Sequence, residues 1–270
     1  RDTYLTFNFA PYDPKSLVSY DIMAPYLKRV NKGNICLNVF LNVSNSTVDI
    51  CNPSVVKKFI DETYEQYFKR DPNHLLKGFF TDEPQLFRWG ISYSKMLPKY
   101  FKEHYKEDIL DRLGLLFLEK KGYKDFRYKF HKALQDLMLE SFSKQIYTWC
   151  DEHNYIFTGH YVEEARLNLQ LQCCGGIMPF YEYMHIPGCD WLGRQIREDG
   201  LGIKQVSSVA AQLGKKQVLC EMYAGCGWDC TPKEYKHIGD FIYLNGANLM
   251  CQHLLPYTQA PRQNSGPPSN

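Results

Sequence analysis

Apolar runs along this chain are short, and the side chains able to do chemistry stand at their carboxyl ends. Residues 75–81 (LLKGFFT), 155–158 (YIFT), 217–222 (QVLCEM) and 248–251 (NLMC) each have the length of a strand buried within a parallel sheet. Between them apolar residues recur at helical spacing. Residues 53–69 follow Asn52-Pro53, a capping residue and a proline at the first helical position, and carry Val55, Val56, Phe59, Ile60, Tyr64 and Tyr67 along one side. Residues 125–151 predict a long helix with Phe126, Phe130, Leu134, Leu137, Met138 and Ile146 on one side. Residues 204–213 predict another, stopped by Gly214. Thr231-Pro232-Lys233-Glu234 reads as a capping box opening a helix that buries Tyr235, Ile238, Phe241 and Ile242 and ends at Gly246.

Strands alternating with helices predict an α/β fold with a parallel sheet covered by helices. An open doubly wound sheet and a (β/α)8 barrel share that pattern. No glycine-rich phosphate loop follows any strand, which weighs against nucleotide binding. The strand endings favour the barrel. They read Asp82-Glu83-Pro84, Gly159-His160-Tyr161, Glu221-Met222-Tyr223 and Gln252-His253, and in a barrel such ends converge on the face where chemistry is done. The expected domain is a TIM-barrel-like unit over 51–255, incomplete at roughly six strands, with a helical insertion over 85–125 after the Glu83 strand. LTFNF, LVSYDI and ICLNVFLNV within 1–50 read as strands or a hairpin at the barrel edge, and 256–270 as a loop tail.

Composition narrows the function classes. A chain of 270 residues suits one large domain, and a net charge of +2 points to neither nucleic acid nor an anionic membrane. No apolar run is long enough to span a bilayer. Aromatic residues make up 15%, which suits either a sugar site or an aromatic core. Ten cysteines occur without a CxxC pair, and the Cys226–Cys230 spacing is poor for zinc. Reduced thiols and a cytoplasmic setting are the expectation.

Glycosidic hydrolysis needs two carboxyl groups flanking the bond, one to protonate the leaving oxygen and one to attack or to activate water. Glu83 and Glu221, at the ends of two strands, are the candidate pair; a structural ion pair at the barrel mouth is the alternative. Asp82, His160, Asp190, His253 and Glu164 are candidate substrate contacts, although Glu163 and Glu164 would also suit the first turn of a helix. Tyr181, Glu182 and His185 lie in the run PFYEYMH. Tyr223, Trp89, Trp191 and Trp228 are candidate stacking surfaces or ordinary loop packing. No metal is required, though a calcium ion orienting sugar hydroxyls is compatible. Competing readings are a metal-dependent barrel hydrolase using His160, His185, His253, Asp82 and Glu163, and a sugar-binding barrel without turnover.

GFFTDEP (78–84), TGHYVEE (158–164), PFYEYMHIPGCDWLGR (179–194), KQVSSVAAQLGKKQVLCEMYAGCGWDCTPKEYKHIGDFIYLNGANLMCQHLLPYT (204–258) and the closing RQNSGPP resemble bacterial glycoside hydrolases related to the α-L-rhamnosidases of glycoside hydrolase family 106. The resemblance runs from about residue 50 onward. It implies a TIM-barrel catalytic domain inside a longer chain with further domains, and a carbohydrate substrate. It also implies that the DEP strand is the fourth, TGHY the fifth, PFYEYM the sixth and CEMY the seventh. Glu83 is then the acid/base and Glu221 the second carboxylate.

Overall fold

The structure, a computed structural model, describes residues 48–86, 90–196 and 200–253, together with the backbone of 2–6, 22–23, 26–27 and 40–44. Four short strands come first: β1 (Asp2–Thr6), β2 (Ile22–Met23), β3 (Tyr26–Leu27) and β4 (Phe40–Ser44). Then come α1 (Pro53–Glu62), α2 (Tyr64–Arg70), β5 (Gly78–Thr81), β6 (Ile91–Ser92), α3 (Leu97–His104) and a 3-10 turn at Leu110–Leu116. A continuous helical stretch follows, made of α4 (Tyr123–Met138), a π turn (Leu139–Lys144) and α5 (Gln145–Glu152). The remainder runs β7 (Ile156–Gly159), α6 (Leu167–Cys173), α7 (Met178–Tyr181), β8 (Ile186–Trp191), α8 (Leu201–Gln212), β9 (Leu219–Met222), α9 (Pro232–Leu244) and β10 (Leu249–Gln252). Among these no helix is long and apolar enough to cross a membrane.

The chain divides into two units. The first takes Arg1–Arg70, Gln85–Gln145 and Leu171–Gly175. In it β1 pairs antiparallel with β4 and with β6, and β2 with β3. Its helices bury part of the stripes the sequence predicts: Val56, Ile60 and Tyr64 are buried, as are Phe126, Phe130, Leu134 and Met138, while Phe59 and Tyr67 are exposed. Asn52 caps α1 by accepting from the Ser54 N–H, and α1 buries Val56 and Ile60. Phe101 of α3 stacks against Phe126 of α4, and Phe126 against Phe130. The insertion expected over 85–125 belongs to this unit and holds α3 and the 3-10 turn.

The second unit takes Asp71–Pro84, Ile146–Gln170 and Gly176–Asn270. Its centre is a curled sheet of five parallel strands in the order β5-β7-β8-β9-β10. That order follows the chain without a reversal. An open doubly wound sheet must reverse at a switch point, so the winding here is that of a barrel segment. Strand β5 is held at its entry by Asp71, whose carboxylate accepts from the Leu75 and Leu76 amides at 2.7 and 3.0 Å. Helix α9 opens on the predicted capping box, with Glu234 N–H donating to Thr231 Oγ1 and Thr231 N–H donating to Glu234.

The helix expected over 53–69 breaks at Thr63 into α1 and α2, and the expected sixth strand is not a strand. The run PFYEYM, read as the sixth strand, forms the short helix α7 with Pro179 in its first turn. Proline fixes φ near the helical value and has no N–H to give a strand ladder. The next strand is instead β8, IPGCDW, whose Ile-Pro-Gly start hides it from a search for apolar runs.

Candidate functional site

Alternation along the strands selects the site. Register pairs Asp190 with Glu221 and Glu221 with Cys251, so these three point to one face. The same parity places Phe80 and Asp82 on β5 and its extension, Thr158 and His160 on and after β7, and His253 after β10 on that face. Four residues of the opposite parity, Phe157, Cys189, Cys220 and Met222, are fully buried.

Each reactive side chain stands just past or at the carboxyl end of its strand. Gly159 makes this possible for His160. Its φ of +127° turns the chain out of the strand, and a Cβ there would overlap the Thr81 carbonyl. The His160 N–H then bonds that carbonyl at 3.1 Å. The imidazole, only 2% exposed, becomes the hub of the site. Its Nε2 lies 2.8 Å from Glu221 Oε2 and 3.4 Å from Asp82 Oδ1. Its Nδ1 lies 3.3 Å from the Tyr161 carbonyl, 3.9 Å from Glu164 Oε1 and 4.0 Å from Asp190 Oδ2. His253 Nε2 approaches the other oxygen of Glu221 at 3.8 Å.

Glu164 sits ahead of helix α6, not within its first turn, and is 3% exposed. Two buried glutamines fix its backbone: the Gln170 and Gln205 amides donate to the Glu164 carbonyl at 2.6 and 2.9 Å. Burial drives the Glu164 carboxyl well above the ordinary glutamate range, and the charges of Asp190 and Glu83 push the same way. Burial also raises Asp190, against the pull of His160. Glu164 Oε1 is buried without a hydrogen-bond partner. Two groups, Asp82/His160/Glu221 and His160/Glu164/Asp190, hold their ligand atoms within 4.8 Å of one another, which is the spacing a bound cation requires.

Glu83 follows Asp82 with a left-handed backbone, φ +49°, directly before Pro84. A side chain with a Cβ adopts that conformation at a cost, and such strain gathers where geometry is used. The Glu83 charge reaches Glu164, which puts it within the field of the same cluster.

The structure thus gathers Asp82, Glu83, His160, Glu164, Asp190, Glu221 and His253. Other candidates lie elsewhere. Tyr181, Glu182 and His185 precede β8, at the opposite strand end from Asp190. There the His185 imidazole accepts the Phe157 N–H at 2.9 Å, lies 3.3 Å from Asp151 and stacks on Tyr147. The three-histidine set of the metal-hydrolase reading is therefore not assembled. Trp191 has the parity opposite to Asp190 and packs on Phe241 of α9. Tyr223, with φ +80°, packs its ring on Tyr235 of α9. Trp228 is 55% exposed on the loop after β9. Trp89 lies outside the described residues.

Sequence reading missed Phe80 and Cys251. Phe80 is 41% exposed and meets His160 edge-on at 5.6 Å. Cys251 lies beside Glu221, where burial and then the Glu221 charge raise its thiol. The signal for both was parity: each stands two residues before a residue already singled out, Asp82 and His253.

No protein-family description matches this chain, and no curated protein matches it in sequence. Among solved structures it is similar to one titled as a rhamnosidase from Novosphingobium sp. PP1Y, at 18% identity and a TM-score of 0.62. The match covers 80% of this chain and 21% of that one, so the chain spans about a fifth of that protein's length.

Proposed function

We propose that this chain carries the catalytic site of a glycoside hydrolase acting on α-L-rhamnosides or a closely similar deoxy-sugar linkage, with Glu83 as general acid and Glu221 as base or nucleophile. One observation carries the reading: carboxyl groups from three parallel strands and the loop after β7 converge at the strands' C-terminal ends around a buried imidazole whose Nε2 lies 2.8 Å from Glu221. The likeness in fold to a rhamnosidase supports it, as does the resemblance of the strand-end motifs to family 106.

The chemistry assigns distinct tasks. His160 Nε2, at hydrogen-bond distance from Glu221, fixes one carboxylate oxygen, and the other lies toward His253. Glu83, on a separate strand end, supplies the proton to the departing oxygen. Phe80 offers a partly exposed ring for the apolar face of a sugar. Glu164 and Asp190 share burial and repulsion, so the pair holds a proton where free carboxylates have lost theirs. Calcium fits the donor set, because the unpartnered Glu164 oxygen and the Asp190 carboxylate are hard ligands in reach of one centre. Bound there, it would order sugar hydroxyls.

The test is hydrolysis of aryl glycosides, α-L-rhamnoside first, by wild type, Glu83→Gln and Glu221→Gln. Each substitution should lower turnover about a thousandfold if the carboxyl acts in the transition state. Near-normal turnover in one variant removes that residue from the mechanism, and a wild type that cleaves none of a broad aryl-glycoside panel removes the reading.

A further inference from the structure

We propose that Trp228 and Asp229 form a leaving-group subsite, one that presupposes the glycoside hydrolase reading above and narrows its substrate to a deoxy-sugar linked to a second pyranose ring.

Two loops leave the sheet directly after residues of the site. One follows Asp190 and Trp191 at the end of β8, the other Glu221 and Met222 at the end of β9, so both stand at the strand ends where the carboxyl groups gather. The loops are tied together. The Gly193 N–H donates to the Ala224 carbonyl at 2.7 Å. Arg194 donates to Asp229 through one guanidinium nitrogen, and another lies 3.9 Å from Glu234, the acid of the α9 capping box. Gly193, Gly225 and Gly227 have φ of +85°, +65° and +80°. A Cβ on Gly227 would stand 2.9 Å from Asp229 Oδ1 and 3.7 Å from the Arg194 guanidinium, so glycine there supplies both the backbone conformation and the room.

The result is a fixed display. The Gly227 carbonyl accepts the Cys230 N–H at 3.2 Å, closing a β-turn with Trp228 and Asp229 at its corner. Trp228 is 55% exposed. A lone exposed apolar ring is ordinary on a protein surface. This one sits at the tip of a turn that is pinned on its next residue by Arg194. Exposed ion pairs add little to stability, so what the Arg194–Asp229 pair supplies is geometry. The Asp229 carboxylate is 81% exposed and has acceptor capacity beyond the Arg194 bond. An indole face beside an accepting carboxylate matches a pyranose, which lays its C–H face on the ring and donates a hydroxyl to the acid. A small aromatic leaving group would use the ring alone. Arg194 is then a positioning residue, acting through Asp229.

The experiment compares two kinds of substrate. α-L-Rhamnosyl fluoride places no ring beyond the cleaved bond. A panel of disaccharides, with rhamnose α-linked to each hydroxyl of glucose, places one there. The ratio of kcat/KM for the best disaccharide to that for the fluoride should fall about tenfold in Trp228→Ala, mainly through KM, the scale of losing one stacked ring face. Asp229→Ala and Arg194→Lys should lower the same ratio, since lysine keeps the charge but not the planar fork. Circular-dichroism melts establish that each variant is folded. Titration calorimetry of the same disaccharides in a Glu83→Gln background gives a readout without turnover, and adding Trp228→Ala should weaken Kd about tenfold. An unchanged ratio and an unchanged Kd in folded Trp228→Ala overturn the subsite, as does a ratio that falls there but not in Asp229→Ala. A wild type that cleaves neither kind of substrate defeats the glycosidase reading instead, and calorimetry then decides the subsite by itself.

Discussion

His160 Nε2 meets Glu221 Oε2 at 2.8 Å although the two residues are 61 positions apart and their strands are not neighbours. Strand β8 lies between them, and it contributes Asp190 to the same cluster. Alternate strands of a flat sheet stand about 9.5 Å apart. Curling the sheet tilts the strand ends toward one another, and a long side chain from each side closes the rest. The contact is thus a consequence of barrel-like curvature, and it ties the orientation of one carboxylate to one buried histidine.

Replacing that histidine tests the tie. His160→Gln keeps polar atoms in the cavity but cannot reproduce both imidazole nitrogens. On the proposed function it should lower turnover about a hundredfold, the scale of misplacing a base, with a far smaller effect on KM. Steady-state kinetics beside a circular-dichroism melt decide the matter. Unchanged turnover in a folded variant would mean that Glu221 does not depend on the imidazole.

Glu164 predicts a dependence of stability on pH. Its carboxyl, raised above the usual 4.5 by burial, binds a proton more tightly in the folded chain than in the unfolded one. The sign follows: its contribution is fully present below the ordinary glutamate value and is lost as pH rises toward the folded value. Glu164→Gln removes a group that must otherwise ionise or stay protonated against its surroundings. The melting temperature of the variant should therefore fall less than that of wild type on going from mildly acidic to neutral pH. Parallel melting curves across that range would show that the buried carboxyl carries no such linkage.

Gly159→Ala tests the turn that delivers His160. The added Cβ faces the Thr81 carbonyl and the backbone sits at φ +127°. Overpacking and backbone strain each cost about 1–3 kcal/mol, so a loss of roughly 3–4 kcal/mol is expected. Urea unfolding measures it, and a loss below about 1 kcal/mol would mean that the strand ends separate easily.

Much of this was legible in the chain. Stretches such as QVLCEM and NLMC marked strands because short, mainly apolar runs suit a parallel sheet, and Thr231-Pro232-Lys233-Glu234 marked a helix start because its capping bonds are local. Asp82, His160, Glu221 and His253 stood out for ending apolar runs. Those features are local, so sequence alone determined them. Which of them meet is not a local matter. Strand IPGCDW escaped notice because Pro187 and Gly188 interrupt its pattern, and with it went the true strand position of Asp190 and the placement of His185 at the far end. Parity and register then sorted the rest, turning Trp191 toward Phe241 and setting Cys251 beside Glu221. Glu164 shows the division best. Its sequence neighbours suited a solvent-facing helix start, and only packing against Gln170, Gln205 and Asp190 made it a buried acid, because burial depends on what the rest of the chain brings over a residue.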